Sequence, residues 1–175
     1  DFIHWIHQNH FYNTLVDRIV PGFPKKDLGF YEKDLPFEDR LIVTCEPFFL
    51  WVIEGNPKLI EIFPVDQLNN IDVKVVPELG IYRTRKVRIL NGSHTTLVPV
   101  GLLHGTTTVS ETLNDDFLKS FLSDTLFDEI IPSMDLDRKE LESYAKSVLE
   151  RFSNPFIIHQ LESIVDIHFY NEQVV

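Results

Sequence analysis

The hydrophobic pattern of the chain changes near residue 78, and this change most constrains the fold. Before it, apolar residues form short runs, and residues 71–76 alternate apolar and polar at a period of two, as a half-buried strand does. After it, apolar residues recur at helical spacing, most clearly as a one-sided stripe over residues 141–152. The sequence therefore predicts an α+β, mainly α fold, with a β-containing segment at 1–78 and a helical bundle at 79–175.

Local signals predict where individual elements lie. Runs rich in β-branched and aromatic residues predict further strands at 14–20, 41–44 and 48–53. Helical spacing and capping residues predict helices at 2–10, from Leu79 to about Gly105 with a kink near Pro99, from the cap Asn114 to Pro132, from Asp137, and from Asn154–Pro155.

Composition excludes several classes of partner. The formal net charge is −11, and an acidic surface repels nucleic-acid backbones and anionic membranes, so neither is expected to bind. No apolar stretch approaches the roughly 18 residues that a bilayer-spanning helix needs. Cys45 is the single cysteine, which rules out an intramolecular disulfide and favours a cytoplasmic protein. Because Cys45 follows an apolar run, it is predicted to be buried.

Three polar residues of the long predicted helix form a candidate proton-transfer site. On an ideal α-helix Lys86, Asn91 and His94 lie at roughly 0°, 140° and 80°, so they share one arc. An amine can exchange a hydroxyl proton, an amide can stabilise an oxyanion, and an imidazole can orient either group, which suits an alcohol or a ketone. The alternative is an ordinary basic helix with a solvated lysine.

A second group of polar residues is His4, His7 and His10. Their spacing along one helix permits metal binding, but no suitably spaced acidic residues lie nearby, so an ordinary polar helix face is the favoured interpretation. No metal cofactor is expected.

Four short segments resemble, in order, the motifs of one enzyme family. They are N-T-L-V-D-R-I-V-P at 13–21, C-E-P-F-F-L-W-V at 45–52, K-x4-N-x2-H at 86–94, and R-F-S-N-P at 151–155. Together they are similar to the mannitol dehydrogenase family of long-chain polyol dehydrogenases. The resemblance implies a Rossmann domain that holds NAD and a helical substrate domain similar to the C-terminal domain of 6-phosphogluconate dehydrogenase.

The resemblance also implies roles for individual residues. Lys86 would be the general acid and base, and Asn91 and His94 would polarise the reacting oxygen. Val16 and Asp17 would line the cleft near the substrate and the nicotinamide.

The residues just before the lysine bear on the substrate. Arg83 and Arg85 make this stretch similar to that of the family members that act on sugar acids. Arginine suits such a substrate because a guanidinium binds a carboxylate bidentately. The resemblance to those members implies a reaction that interconverts a hexuronate keto acid (tagaturonate) and a hexonate (altronate). A fructuronate (mannonate) or mannitol-type dehydrogenase is the alternative within the family. A helical interaction module is the alternative outside enzymes. The sequence leaves NAD against NADP and the oligomeric state open.

Two features of the sequence depart from the family pattern. No G-x-G-x-x-G follows a strand, so residues 1–78 are expected to extend a Rossmann domain that is missing here, and residues 1–175 alone are expected to be inactive. After Ile164 the family continues with a Ser-Lys-Phe stretch, whereas no lysine follows Lys146 in this chain.

Overall fold

The computed structural model describes residues 1–25, 27–69 and 71–165, and these residues form two compact units. Unit 1 consists of Asp1–Arg18 and Phe49–Thr84. Unit 2 consists of Ile19–Phe48 and the described residues from Arg85 onward. The divergent tail after Val165 lies outside the described residues.

Unit 1 is built on a three-stranded sheet of order β1-β2-β3. The strands are β1 (Thr14–Asp17), β2 (Leu50–Glu54) and β3 (Asp72–Val76). β2 pairs antiparallel with β1 and parallel with β3, and Trp51 stands opposite Val16 on one side and Val73 on the other. The unbroken apolar run of β2 suits this central position, where Leu50, Val52 and Ile53 are all buried.

Short helices complete unit 1. They are α1 (Phe2–Gln8), α3 (Leu59–Ile62), a 3₁₀ turn (Val65–Gln67) and α4 (Gly80–Arg85). The Asp1 carboxylate caps α1 by accepting a hydrogen bond from the Ile3 N–H at 3.1 Å. The chain passes from unit 1 into unit 2 within α4.

Unit 2 is almost entirely helical and holds the larger core. Its elements are α2 (Leu28–Tyr31), a 3₁₀ turn (Glu32–Asp34), a first π-helical segment (Lys86–Asn91), α5 (Gly92–His104), α6 (Val109–Asn114), α7 (Asp116–Asp124), a second π-helical segment (Thr125–Ile130), a 3₁₀ turn (Ile131–Ser133) and α8 (Arg138–Phe152). Residues 161–165 are also helical. The side chains least exposed to solvent in this core are Ile89, Leu97, Leu118, Leu122, Leu126, Ala145, Val148 and Leu161.

The corner between α5 and α6 is tightly built. α5 ends at Gly105, whose φ of +90° is a left-handed conformation that glycine adopts without strain. α6 then begins with a capping box, in which Thr108 and Glu111 each bond the other's backbone N–H. The backbone N–H and the hydroxyl of Thr107 donate to the Glu111 carboxylate and hold the pKa of that carboxyl below its usual range.

Most of the predicted elements are confirmed. The fold is α+β and mainly α, and the helix expected from Leu79 to Gly105 runs as α4, the first π-helical segment and α5, with Pro99 inside α5. Strand β3 lies where the alternation predicted it. The Asp137 carboxylate caps α8 by accepting from the Glu140 N–H at 2.8 Å.

Four local predictions are wrong, each for a physical reason. Among the described residues, the run 41–44 forms a single bridge, from Thr44 to Gly22, because no strand there pairs with the rest of it. Cys45, which follows that run, is exposed. Asn114 ends α6, and Asp115 caps α7 instead by accepting from the Leu118 N–H. No helix restarts at Pro155, because the Asn154 side chain accepts from the Phe156 N–H in a local turn.

The division into units does not follow chain order. The sequence favours a boundary at residue 78, whereas residues 19–48 pack with the helices of unit 2. Among the residues that the structure describes, no helix is long and apolar enough to cross a bilayer.

At Gly101, α5 packs tightly against Thr112 and Leu161. This contact gives a test of the packing. A Cβ at this position would lie 2.8 Å from Thr112 Cγ2 and 3.1 Å from Leu161 Cδ1. We expect Gly101→Ala to lower the free energy of unfolding by about 1–3 kcal/mol, because the helices must move apart. Urea unfolding measures the loss. Gly80→Ala is the matched control, since a Cβ there meets nothing within 4 Å. Equal stability of the two variants would show that the corner is looser than described.

Candidate functional site

A π-helical segment carries two of the three candidate catalytic residues, with Lys86 at its start and Asn91 at its end. The Gly92 N–H donates to the Val87 carbonyl, which is the i→i+5 bond of a π-helix. Because a π turn holds one residue more than an α turn, Asn91 lies about one turn beyond Lys86. The wide angle between them on an ideal α-helix therefore does not apply, and the two residues share a side more closely than predicted.

The side-chain oxygen of Asn91 is buried, and the described residues offer it no hydrogen bond. Its side chain is half-buried, and no hydrogen bond to Oδ1 is found within the described part of the chain. A buried amide oxygen without a partner is uncommon in folded proteins, because its desolvation is not compensated. A ligand hydroxyl or an ammonium group would satisfy it.

His94 lies on the first turn of α5 and is almost fully buried, with 4% of its surface exposed. Its ring stacks on Phe152 of α8, with the centroids 4.5 Å apart and the planes 10° from parallel. The ring of His159 meets it edge to face at 5.0 Å and 88°. Two aromatic neighbours at right angles fix the orientation of the imidazole.

Arg85 immediately precedes Lys86 and already has structural partners. Its guanidinium forms an ion pair with Glu140 and lies 4.4 Å from the ring centroid of Tyr144, both on α8. The Arg85 side chain is 11% exposed. These contacts fasten α8 to the start of the π-helical segment, so that Arg85 has a role in packing beside its predicted role in binding a carboxylate.

The remaining predicted residues belong to unit 1. Asp17 ends β1 with 1% of its surface exposed, whereas Val16 beside it is 46% exposed. Arg83 is an exposed residue of α4. Glu54, at the end of β2, accepts from the Leu79 N–H at 2.9 Å and so ties the sheet to the start of α4. That hydrogen bond is the main reason that the pKa of Glu54 is lowered, and Arg83 adds a smaller electrostatic contribution.

A buried ion pair, which the sequence did not single out as functional, joins two of the motif segments. Arg151 donates from Nε and Nη2 to the carboxylate of Glu46 at 2.9 and 2.7 Å. Glu46 also accepts from the Ile19 N–H, and the Arg151 guanidinium lies 4.1 Å from the ring centroid of Phe48. The signal was present in the sequence, because each charged residue sits inside a segment that resembles the family.

The three histidines near the start of the chain are exposed. Over the ranges that the structure describes, no cluster of three or more histidine, cysteine or carboxylate side chains is arranged to hold an ion. His4 and His7 lie on α1 and His10 follows it, and all three side chains are exposed.

Comparison with known proteins identifies the family. The family model for the mannitol dehydrogenase C-terminal domain matches residues 78–166, and the model for the mannitol dehydrogenase Rossmann domain matches residues 1–63. The chain belongs to the mannitol dehydrogenase family. Residues 1–63 thus match part of a Rossmann domain, although the glycine-rich turn is not among them.

The similar curated proteins include altronate oxidoreductases. The chain is 44% identical over 164 residues to altronate oxidoreductase of Yersinia pestis bv. Antiqua (strain Nepal516) and 42% identical over 166 residues to that of Phocaeicola vulgatus. These alignments cover 93% and 94% of this chain and 34% of each relative. The chain therefore spans about a third of the length of the curated relatives it matches.

Two solved structures share the fold. One is Pseudomonas fluorescens mannitol 2-dehydrogenase in a ternary complex with NAD and D-mannitol, with a TM-score of 0.69, 29% identity, and coverage of 92% of this chain and 32% of that one. The other is D-sorbitol dehydrogenase in substrate-free form, with a TM-score of 0.71, 28% identity, and coverage of 93% and 33%.

The buried ion pair gives a stability test. Arg151→Met keeps an unbranched side chain but removes the guanidinium, so that the Glu46 carboxylate stays buried without its cation, and we expect a loss of about 3–5 kcal/mol in the free energy of unfolding. Arg138→Met, on the exposed first turn of the same helix, removes an ion pair with Glu142 and should cost under about 1 kcal/mol. Chemical denaturation of both variants measures the difference. Similar losses would mean that the buried pair contributes no more than a surface pair.

Proposed function

We propose that this chain is part of an NAD-dependent sugar-acid oxidoreductase that interconverts tagaturonate and altronate, with Lys86 as the general acid and base. The observation that supports the proposal is the π-helical segment, in which Lys86 and Asn91 are about one turn apart, together with a buried Asn91 amide oxygen that finds no hydrogen-bond partner among the described residues. π-helical turns occur frequently at functional sites. The relatives named altronate oxidoreductase support the choice of reaction.

The proton transfer uses residues of this chain. In the oxidising direction, the neutral amine of Lys86 accepts the proton of the substrate hydroxyl as the carbinol carbon gives up its hydride. In the reducing direction, the ammonium of Lys86 returns that proton to the oxygen. The Asn91 amide offers both a donor and an acceptor to the reacting oxygen, and its buried Oδ1 suits the hydroxyl of the alcohol form.

His94 is proposed to orient these groups rather than to carry the proton. It follows Asn91 by three residues and is held rigidly between α5 and α8 by the stack on Phe152. A catalytic group held in one orientation avoids the entropy loss that alignment would otherwise require. The buried position of His94 limits its exchange with bulk water.

NAD is the proposed cofactor, and when bound it supplies the hydride acceptor in oxidation and the hydride donor in reduction. The match to the Rossmann domain model and the solved relative with NAD support this choice. The sequence of this chain has no glycine-rich turn for the pyrophosphate, so no residue is assigned to that group. The placement of Val16 and Asp17 near the nicotinamide remains a prediction from the resemblance.

The substrate class rests on the arginines before Lys86. Arg83 is exposed, whereas Arg85 is held by Glu140 and Tyr144, so Arg83 is the better candidate to bind a substrate carboxylate. The mannitol-type alternative is favoured by a different observation, namely the fold shared with mannitol 2-dehydrogenase bound to D-mannitol.

The role of Lys86 is tested in the full-length protein with NAD. We expect Lys86→Ala to lower kcat by on the order of 10²–10⁴, because the group that exchanges the proton is lost. Lys86→Arg should be similarly impaired, since a guanidinium keeps the charge but does not release its proton. Steady-state rates over a range of pH measure both effects. The control is Lys119→Ala, at an exposed position of α7. Near-normal kcat in Lys86→Ala would contradict the mechanism.

The substrate is tested by comparing kcat/KM for altronate, mannonate and D-mannitol. We expect altronate to be preferred, and we expect Arg83→Ala to raise KM for altronate by about 10- to 100-fold while leaving that for D-mannitol nearly unchanged. The matched control is Arg88→Ala, another exposed arginine close in sequence. A preference for D-mannitol, with no effect of Arg83→Ala, would favour the mannitol-type alternative.

A further inference from the structure

His159 contacts His94, although His159 lies outside the motif segment 86–94 that contains His94. The two imidazole rings are in edge-to-face contact, with the centroids 5.0 Å apart and the planes at 88°. His159 is half-buried, whereas His94 is 4% exposed. The contact joins residues 65 positions apart in the chain, which makes it a tertiary rather than a local interaction.

The backbone around His159 is held in place by the start of α6. The His159 carbonyl accepts from the Val109 N–H at 3.0 Å, and the Leu161 N–H donates to the Thr107 carbonyl at 3.0 Å. Gln160 between them forms an antiparallel bridge with Thr108. Because these hydrogen bonds start at the His159 carbonyl and continue to Leu161, they anchor the backbone that carries the His159 side chain.

Phe152 and His159 act on the His94 ring in different directions. The stack on Phe152 fixes the plane of the ring but allows the imidazole to slide and turn within that plane. The ring of His159, perpendicular to that of His94 and 5.0 Å from it, limits how far the imidazole can slide or turn. Edge-to-face aromatic pairs are favourable beyond the area they bury, so the contact favours one orientation of the His94 ring.

We infer that His159 is a positioning residue, which holds the imidazole of His94 in the orientation that the reaction needs. The inference rests on the proposed function, because it takes His94 to be part of the proton-transfer site. His159 acts through the shape and flatness of its ring, not by exchanging a proton with the substrate. A flat aromatic side chain of another kind at this position should therefore serve in its place.

The test compares His159→Leu with His159→Phe in the full-length protein with NAD and altronate. Leucine fills much of the space but lacks a flat edge, so we expect kcat to fall on the order of 10- to 100-fold, as misplacement of a catalytic group does. KM should stay nearly unchanged, because His159 is not inferred to bind the substrate. Phenylalanine should retain most of kcat. Ile158→Ala is the control, since that neighbouring side chain is 58% exposed.

A double-variant cycle separates positioning from a general effect on folding. In a His94→Ala background, His159→Leu should cause no further loss of kcat, because the ring that it positions is gone. Additive losses, or equal losses in His159→Leu and His159→Phe, would overturn the inference. Unchanged kcat in His159→Leu together with an inactive Lys86→Ala would overturn it while leaving the proposed function intact. Normal activity of Lys86→Ala would instead contradict the proposed function itself.

Discussion

The buried ion pair between Glu46 and Arg151 is the interaction on which the rest of unit 2 depends. Removing two charges from water is costly, and the cost is offset only where the geometry satisfies both groups. Here Arg151 donates from Nε and Nη2, and Glu46 also receives the Ile19 N–H, so that one carboxylate fixes both the C-terminal end of α8 and the chain at residue 19. Since Phe152 follows Arg151 directly, the same pair also determines where the stack on His94 forms.

The π-helical geometry of the candidate site has a comparable influence. One additional residue in the turn alters the faces on which all later side chains lie, so that Asn91 comes to the side of Lys86 while Ile89 and Leu90 remain in the core. A second π-helical segment, Thr125–Ile130, contacts the first. A continuous α-helix would not present the same residues both to the core and to the reacting groups.

Sequence periodicity predicted much of the fold because long, one-sided helices leave a strong pattern. The apolar stripe of α8 and the alternation of β3 both predicted their elements correctly. The strand predicted at 41–44 was wrong because β propensity describes how well a residue fits into a sheet, and no strand of the described residues pairs with this run. Cys45 was misplaced with it, since its burial was inferred from the same run.

The candidate site was only partly predictable. The types and spacing of Lys86, Asn91 and His94 suggested the chemistry, but their angular arrangement assumed an α-helix and missed the π turn. The partners of Arg85 and His94 lie on α8 and beyond it, at sequence separations that no local pattern encodes. Tertiary contacts of this kind can be found only once the helices are placed against one another.

The interleaving of the two units along the chain has an evolutionary consequence. The polypeptide crosses between them after residues 18, 48 and 84. Glu46 of the buried pair lies in the stretch 19–48, whereas Arg151 lies near the end of α8. A single crossover between residues 46 and 151 would therefore take the two charged residues from different parents. Such a hybrid keeps the buried pair only where both parents carry the glutamate and the arginine, so the sequence of residues 19–48 constrains the sequence of the helical unit.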